Sequence, residues 1–282
     1  MRYRFTAVVG AAIVAAAAAA ALVTVVGVSG QTRPAAPAAA ASRLARMPDG
    51  KPNLNGIWQA VNSANWDLED HEARQGPVTA LGASFSVPPG MGIVEGGKIP
   101  YRPEALAKKK ENQANWLARD PEIKCYMPGI PRATYQGYPF QIVQTGKDVL
   151  MSYQFANASR IVYMNAAKEP SPNQFWMGWS YGRWEGDSLV VDVTGFTDQT
   201  WFDRAGDFHS DELHVVERYT PLDADHLTYE ATIEDPKTFT RPWKISMPLY
   251  RRIEKNAQLL EYICVEFAEE LMYGHLSKRP TP

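Results

Sequence analysis

Cysteine and histidine are scarce in this sequence, which has two cysteines and five histidines among 282 residues. The histidines are dispersed and no HExxH motif occurs. The nearest grouping, His209, Asp211 and His214, has neither helical spacing nor a single strand face, so we expect no metal. The acidic segment of residues 67–71 (DLEDH) could add metal ligands only if it folds over the body of the protein.

The motifs of several enzyme classes are also absent. The sequence contains no Gly-x-Ser-x-Gly elbow, no P-loop and no dinucleotide fingerprint, and we expect no cofactor. Basic residues are not in excess, since 29 Lys and Arg stand against 31 Asp and Glu, and no basic stripe is present. Nucleic acid is therefore not an expected partner.

The N-terminus is apolar after a short basic start. MRYR is followed by residues 5–30, which contain almost no polar side chain, and residues 31–50 form a linker rich in Ala and Pro. This order is typical of an export signal, but an apolar run of this length can also remain as an inner-membrane anchor. The sequence predicts a periplasmic or extracellular protein and leaves cleavage of residues 1–30 and anchoring through them open.

Residues 51–282 are long enough for one structural domain. We expect residues 51–138 to form an N-terminal arm with a first strand at NGIW. Residues 76–100 are too rich in Gly and Pro for a long helix or strand. Residues 103–120 predict one surface helix with a proline in its first turn.

Residues 139–282 consist mostly of short runs rich in β-branched and aromatic residues, separated mainly by short turns. The runs are FQIVQT, DVLMSYQF, SRIVYM, FWMGWSYGRW, DSLVVDVTGF, LHVVERYT, HLTYEATIED, WKISMPLYRRI and QLLEYICVEF. They predict a mostly β fold, an antiparallel meander of eight or nine strands that closes into a barrel, or a β-sandwich as the alternative, because either arrangement protects strand edges.

The Gly56-x-Trp58 motif resembles the opening of lipocalin-like (calycin) barrels. In those barrels the tryptophan plugs the floor and an arginine from a late strand stacks on it. The resemblance implies that Arg251 or Arg252 stacks on Trp58.

Several longer blocks, among them GRWEGDSLVVDVTGF, HSDELHVVERYT and IEDPKTFTRPW, resemble a large, mostly uncharacterised group of exported bacterial proteins. The blocks agree in order over most of the chain after residue 50. The resemblance implies a soluble or tethered periplasmic protein, and it assigns no reaction to any residue.

The two cysteines, Cys125 and Cys264, both lie after the predicted export segment. In an oxidising compartment an isolated pair is expected to form a disulfide. Two buried free thiols remain the alternative, because the sequence does not show whether the two Cα atoms are close enough.

Residues 197–213 (TDQTWFDRAGDFHSDEL) form a connection much longer than its neighbours, and long connections in compact domains are often lids or sites. His209 can exchange protons near neutral pH, an aspartate can orient it, and Arg204 can stabilise a developing negative charge. Asp203, Asp207 and Asp211 are the candidate aspartates, and Trp201, Phe202 and Phe208 are the candidate wall of a pocket. The alternative is a surface loop held by ion pairs.

Three strand carboxylates, Asp192, Glu217 and Glu230, are expected on adjacent strands. If they face a barrel interior together, their pKa values are pushed apart and they can supply an acid and a base. If they face outward, they are ordinary solvated charges. Arg241 and Trp243 either grip a ligand by a cation–π contact or form a turn with a packed tryptophan.

The sequence thus predicts an exported barrel protein with a small-molecule pocket. We expect a cofactor-independent acid/base enzyme, a lyase, isomerase, cyclase or hydrolase, acting on a hydrophobic or aromatic-like metabolite. A binding protein without catalysis and an envelope interaction protein are the alternatives. The expected catalytic residues are His209, Asp203, Asp211, Glu217 and Glu230, and the expected substrate contacts are Trp201, Phe202, Arg204, Asp192, Tyr229, Arg241 and Trp243.

Overall fold

The computed structural model describes residues 44–76, 78–165 and 173–277. The predicted export signal or anchor, and most of the predicted linker, fall outside the described residues. All described residues belong to one compact unit, Ala41–Pro282. None of the helices in the described ranges combines the length and apolar character that crossing a bilayer requires.

Nine strands form a closed barrel in which each strand pairs with its neighbours in chain order and the last pairs with the first. The predicted mostly β barrel is therefore confirmed. The strands are β1 (Gly56–Gln59), β2 (Phe140–Gln144), β3 (Val149–Tyr153), β4 (Ser159–Met164), β5 (Trp179–Glu185), β6 (Ser188–Thr194), β7 (His214–Pro221), β8 (His226–Glu234) and β9 (Trp243–Arg251).

The barrel departs from a purely antiparallel meander at one pair of strands. β4 and β5 are parallel, with Val162 opposite Ser180, whereas every other neighbouring pair is antiparallel. Parallel neighbours cannot be joined by a tight hairpin and need a crossover connection. The chain between the two strands, residues 165–178, is correspondingly long.

The barrel interior is the main hydrophobic core. Along β7 the buried residues alternate with half-exposed ones, and β8 repeats the pattern, because successive side chains of a strand point to opposite faces. Large side chains fill the interior, including Trp58, Tyr153, Tyr219 and Tyr229, none of which is more than 2% exposed.

The expected contact between a late arginine and the first-strand tryptophan is present. The Arg251 guanidinium lies 4.2 Å from the centroid of the Trp58 ring and donates to the Asn55 carbonyl. Gly56 has a φ of 141°, and a Cβ added there would collide with the Arg251 guanidinium. Arg251, rather than Arg252, is thus the stacking partner, and the glycine makes room for it.

The N-terminal arm completes the barrel wall beside β9. Strand β1 meets β9 only at Trp58–Arg251 and Gln59–Tyr250. Further along β9, Glu95 N–H donates to the Lys244 carbonyl at 2.8 Å and Ser246 N–H donates to the Ile93 carbonyl at 3.0 Å. The arm therefore covers backbone groups of β9 that β1 is too short to reach.

Helices lie outside the barrel. The predicted helix over residues 103–120 is present but breaks at Asn115. The described helices are α1 (Pro103–Ala114), α2 (Trp116–Arg119), α3 (Arg132–Tyr135) and α4 (Ala268–Ser277), with 3₁₀ segments at Thr79–Phe85 and Phe155–Asn157. The sequence reasoning missed α4.

The prediction of a strand at QLLEYICVEF, residues 258–267, is wrong. The segment forms no ladder, because pairing of β9 with β1 has already closed the barrel. Instead it is anchored outside the barrel: Leu260 N–H donates to Gln154 Oε1 at 3.1 Å and Asn157 donates to the Tyr262 carbonyl at 3.0 Å. This placement makes the segment one wall of a cavity described below.

Candidate functional site

The long connection of residues 197–213 is folded against the barrel end. Phe202 N–H donates to the Asp207 carbonyl at 2.7 Å, and Trp201 forms a bridge with Phe208. Phe202 and Phe208 are buried, and the Trp201 ring is 9% exposed. The loop is therefore a hairpin-like turn whose aromatic side chains pack into the hydrophobic core clusters. Contrary to expectation, Trp201 and Phe202 do not line an open pocket.

His209 is held by groups other than the expected aspartates. Its Nε2 lies 2.6 Å from Thr200 Oγ1 and its Nδ1 lies 2.8 Å from the Ser210 carbonyl oxygen. The ring is 1% exposed and packs 5.2 Å from the centroid of Phe202. Burial lowers the pKa of His209. Both ring nitrogens are occupied, so the expected orientation of His209 by an aspartate is wrong.

The loop aspartates separate into buried and exposed members. Asp211 is exposed and accepts a hydrogen bond from Lys237 Nζ at 2.9 Å, which lowers the pKa of Asp211. Asp203 and Asp207 are buried and adjacent, and Asp203 accepts from Leu68 N–H at 2.9 Å. Burial, followed by repulsion from Asp207, raises the pKa of Asp203 well above its ordinary value.

The segment of residues 67–71 does fold over this point. One carboxylate oxygen from each of Asp67, Asp203 and Asp207 lies within 4.8 Å of the other two, a spacing that a cation can bridge. Lys109 Nζ already lies 3.6 Å from Asp207, and Arg74 lies 3.3 Å from Asp67. Three oxygens are also fewer than the six to eight that Ca²⁺ takes. We therefore interpret the cluster as an internal ion-pair network.

The three strand carboxylates do not meet. Glu217 faces the barrel interior, where Arg160 donates to it at 2.6 and 3.0 Å, and Tyr219 and Tyr229 each donate to it at 2.9 Å. Four donors saturate this carboxylate, and the cluster is buried. Tyr229 is thus a structural partner of Glu217 in this geometry.

Asp192 and Glu230 lie on the opposite face of the sheet from Glu217. The register sets Asp192 beside Val216 and Glu230 beside Arg218, one position out of phase with Glu217. Asp192 Oδ1 lies 3.3 Å from His214 Nε2, and Glu230 accepts from Lys244 at 2.6 Å. Of the two alternatives, Glu217 follows the inward one and Asp192 and Glu230 the outward one, so the three carboxylates form no acid–base pair inside the barrel.

Arg241 and Trp243 do not form a common ligand site, because Trp243 is buried and Arg241 is exposed. Trp243 is 3% exposed and its ring packs against Phe202 and Phe239, with centroids 5.6 and 5.3 Å away. Arg241 is exposed and donates to the Pro242 carbonyl at 3.2 Å. The arrangement corresponds to the turn with a packed tryptophan.

Arg204 is the residue of the long loop that borders a cavity. The cavity has a volume of about 320 Å³ and lies between the loop of residues 122–125, residues just outside β2 and β3, and the C-terminal segment. A disulfide between Cys125 and Cys264, with Cα atoms 5.7 Å apart, ties the C-terminal segment to that loop. The disulfide thus holds two walls of the cavity together.

The polar end of the cavity is an extended ion-pair chain. Arg204 donates to Glu122 at 2.9 and 3.1 Å and to Glu269 at 3.1 Å. Arg132 donates to Glu122 at 2.7 Å and to Asp120 at 2.7 and 2.9 Å. Burial opposes ionisation of Glu122, but Arg204 and Arg132 outweigh it and lower the pKa of Glu122 to about 2.

Arg204 is also fixed by stacking. Its guanidinium carbon lies 4.5 Å from the centroid of Trp66 and 5.0 Å from that of Trp116. The arginine therefore keeps one orientation between two indole rings, a favourable cation–π arrangement.

Another part of the cavity lining is aromatic. Tyr138, Phe155 and Tyr262 contact one another, with ring centroids 5.0 to 5.7 Å apart. Glu269 lies at the start of α4 and also lines the cavity, and burial raises its pKa. A carboxylate of raised pKa and a fixed guanidinium beside an aromatic wall can bind and protonate a small molecule.

Sequence reasoning missed Glu122, Tyr138, Tyr262 and Glu269 as site residues. They are distant along the chain and share no motif. One signal pointed to Glu122, Tyr262 and Glu269, because a Cys125–Cys264 bridge brings residues 122–126 close to residues 261–269. No such signal pointed to Tyr138.

Comparison of the chain with models of known protein families, with curated proteins and with solved structures found no match. The resemblance to a group of exported bacterial proteins accordingly stays a prediction. Fold and cavity together define a closed β-barrel protein with a filled interior and a side cavity outside the barrel.

Proposed function

We propose that the protein binds a small molecule containing a ring or a compact apolar body in the cavity beside Arg204. The observation that supports this most is the cavity itself, which joins an aromatic wall to a polar end within about 320 Å³. Ligand pockets of this size typically combine mostly apolar walls with a few placed polar groups. The Arg204 guanidinium and the Glu269 carboxyl supply those groups.

The barrel interior is a weaker candidate for the site. Lipocalin-like barrels of eight strands can hold one small ligand, but here the Arg160–Glu217 pair and its tyrosines occupy the interior and satisfy one another. A ligand placed there would have to displace buried charges, which is costly.

Acid/base catalysis in the same cavity is the second candidate. The pKa of Glu122 is lowered to about 2, whereas burial raises the pKa of Glu269. Carboxyl groups whose environments separate their pKa values are the usual basis for assigning an acid and a base. Glu269 would donate the proton and Arg204 would stabilise the negative charge that develops.

We also propose that the protein lies outside the cytoplasm, either released or tethered by its N-terminal segment. The disulfide between Cys125 and Cys264 supports this location, because such bonds persist in oxidising compartments.

A substitution that fills the cavity tests the binding proposal. Ala268 lines the cavity, whereas Leu271 lies one turn further along α4 and is 72% exposed. We expect thermal unfolding and calorimetry with small aromatic compounds to show binding that Ala268→Phe abolishes and Leu271→Phe leaves intact. Equal binding by both variants would place the ligand elsewhere. A product found by mass spectrometry would favour the second candidate.

A further inference from the structure

When all of its members are ionised, the ion-pair chain at the cavity carries one net negative charge. It contains three carboxylates, from Asp120, Glu122 and Glu269, and two guanidiniums, from Arg132 and Arg204. Asp120 and Glu122 are the better compensated members, since each carboxylate accepts two or more arginine donors. The remaining charge therefore lies at the Glu269 end, which borders the cavity.

Glu269 is the least satisfied member of the chain. Its Oε1 accepts one hydrogen bond from Arg204 at 3.1 Å, and its Oε2 is shielded from solvent and receives none. A buried acceptor without a donor is costly. The Glu269 side chain is 26% exposed and lines the cavity, so a ligand there can contact its carboxyl group.

The aromatic residues of the cavity also favour a positively charged ligand. The faces of aromatic rings attract cations, and three mutually contacting rings, Tyr138, Phe155 and Tyr262, line the same cavity as Glu269. An anion would meet the excess carboxylate, and a neutral molecule would leave Glu269 Oε2 without a strong donor.

Resting on the binding function proposed above, we propose that the ligand of this cavity is a small organic monocation. An ammonium group would pair with Glu269, and an aromatic or alkyl body would pack on the three rings. The ammonium would supply the missing donor and neutralise the remaining charge of the ion-pair chain. Charge-assisted hydrogen bonds of this kind are stronger than neutral ones.

The groups that act on Glu269 set the pH dependence. Burial raises the pKa of Glu269, Arg204 opposes the rise, and Glu122 and Asp120 add to it. As pH falls through this raised pKa, Glu269 takes up a proton and its attraction for a cation is lost. Amine affinity should therefore decrease on acidification, and binding should release a proton when Glu269 is partly protonated.

Matched ligands on the full chain test the charge preference. Calorimetric titration with 2-phenylethylamine, the neutral 2-phenylethanol and the anionic phenylacetate compares one ring with three charges. We expect the amine to bind at least about tenfold more tightly than the alcohol, a difference of about 1.4 kcal/mol. We expect phenylacetate to bind most weakly.

Two neighbouring glutamates provide the matched variants. Glu269→Gln should remove the advantage of the amine over the alcohol, while Glu270→Gln, on an exposed neighbour, should preserve it. Equal binding of amine and alcohol by the unaltered protein, or an amine advantage that persists in Glu269→Gln, would overturn the monocation assignment and leave the binding function standing. Failure of all three compounds to bind would count against both.

Discussion

Removing the charge of Glu217 should destabilise the fold strongly. Glu217→Gln keeps the size of the side chain but leaves Arg160 buried without its counter-ion. The carboxylate accepts two hydrogen bonds from Arg160 and one each from Tyr219 and Tyr229, all at 2.6 to 3.0 Å. Breaking one side of such a buried pair typically costs about 3–5 kcal/mol. A domain is stable by only about 5–15 kcal/mol, so the loss is large.

Urea unfolding followed by tryptophan fluorescence measures the change as a shift of the midpoint at constant slope. Glu230→Gln is the matched control, because Glu230 pairs with Lys244 on the outer face at 2.6 Å. A surface pair of this kind contributes about 0–1 kcal/mol. If Glu217→Gln costs no more than Glu230→Gln, the interpretation of the interior cluster as a buried ion pair is wrong.

Further predictions concern the disulfide, the buried histidine and a glycine. Cys125→Ser with Cys264→Ser removes a link across 139 residues and should lower the free energy of unfolding by about 4–5 kcal/mol, measured in urea; an unchanged midpoint would contradict it. His209 has a folded pKa below 6.5, so the unfolded chain binds its proton first and stability should fall by at most about 1.4 kcal/mol per pH unit as pH drops below about 6.5. His209→Gln should flatten that part of the pH profile, and an unaltered slope would exclude this origin. Gly56→Ala should cost about 1–3 kcal/mol in thermal or urea unfolding, whereas Gly146→Ala, at an open turn, should be neutral within about 0.5 kcal/mol; equal effects would contradict the steric account.

The strand pattern was predictable because it depends on local chemistry. Runs of β-branched and aromatic residues at 213–220 and 226–235 identified β7 and β8, whereas the face of each strand that points into the barrel was left open. The motif that resembles lipocalin-like barrels predicted that Arg251 or Arg252 stacks on Trp58, and the structure selects Arg251. The parallel pair of β4 and β5 did not follow, because local alternation is identical in parallel and antiparallel strands.

The C-terminal segment shows where local pattern fails. Residues 258–267 have the composition of a strand, yet a strand needs a free edge, and β1 already occupies the edge of β9. The segment instead lies outside the barrel and carries Tyr262 to the cavity. Which segment pairs with the edge of β9 depends on the whole barrel, so it cannot be predicted from the composition of one segment.

The site was predicted least well. The long loop was predicted to be the site because of its ionisable and aromatic residues. In the structure His209 and Asp203 are buried and hydrogen-bonded to Thr200 and Leu68, respectively. Of the loop residues, Arg204 is the one that lines the cavity. Which of several ionisable side chains stays reachable depends on packing around it, since burial and partner geometry vary between neighbours in the chain.

The sequence by itself determined the mostly β composition, the positions of most barrel strands and the availability of two cysteines for one bridge, because each depends on residue type and short-range spacing. Tertiary structure alone decided the direction of β5 beside β4, the closure of the barrel and the meeting of Glu122, Arg204 and Glu269 at one cavity. These outcomes join residues as far apart in the chain as Trp58 and Arg251. Their contacts form only when the intervening chain has packed.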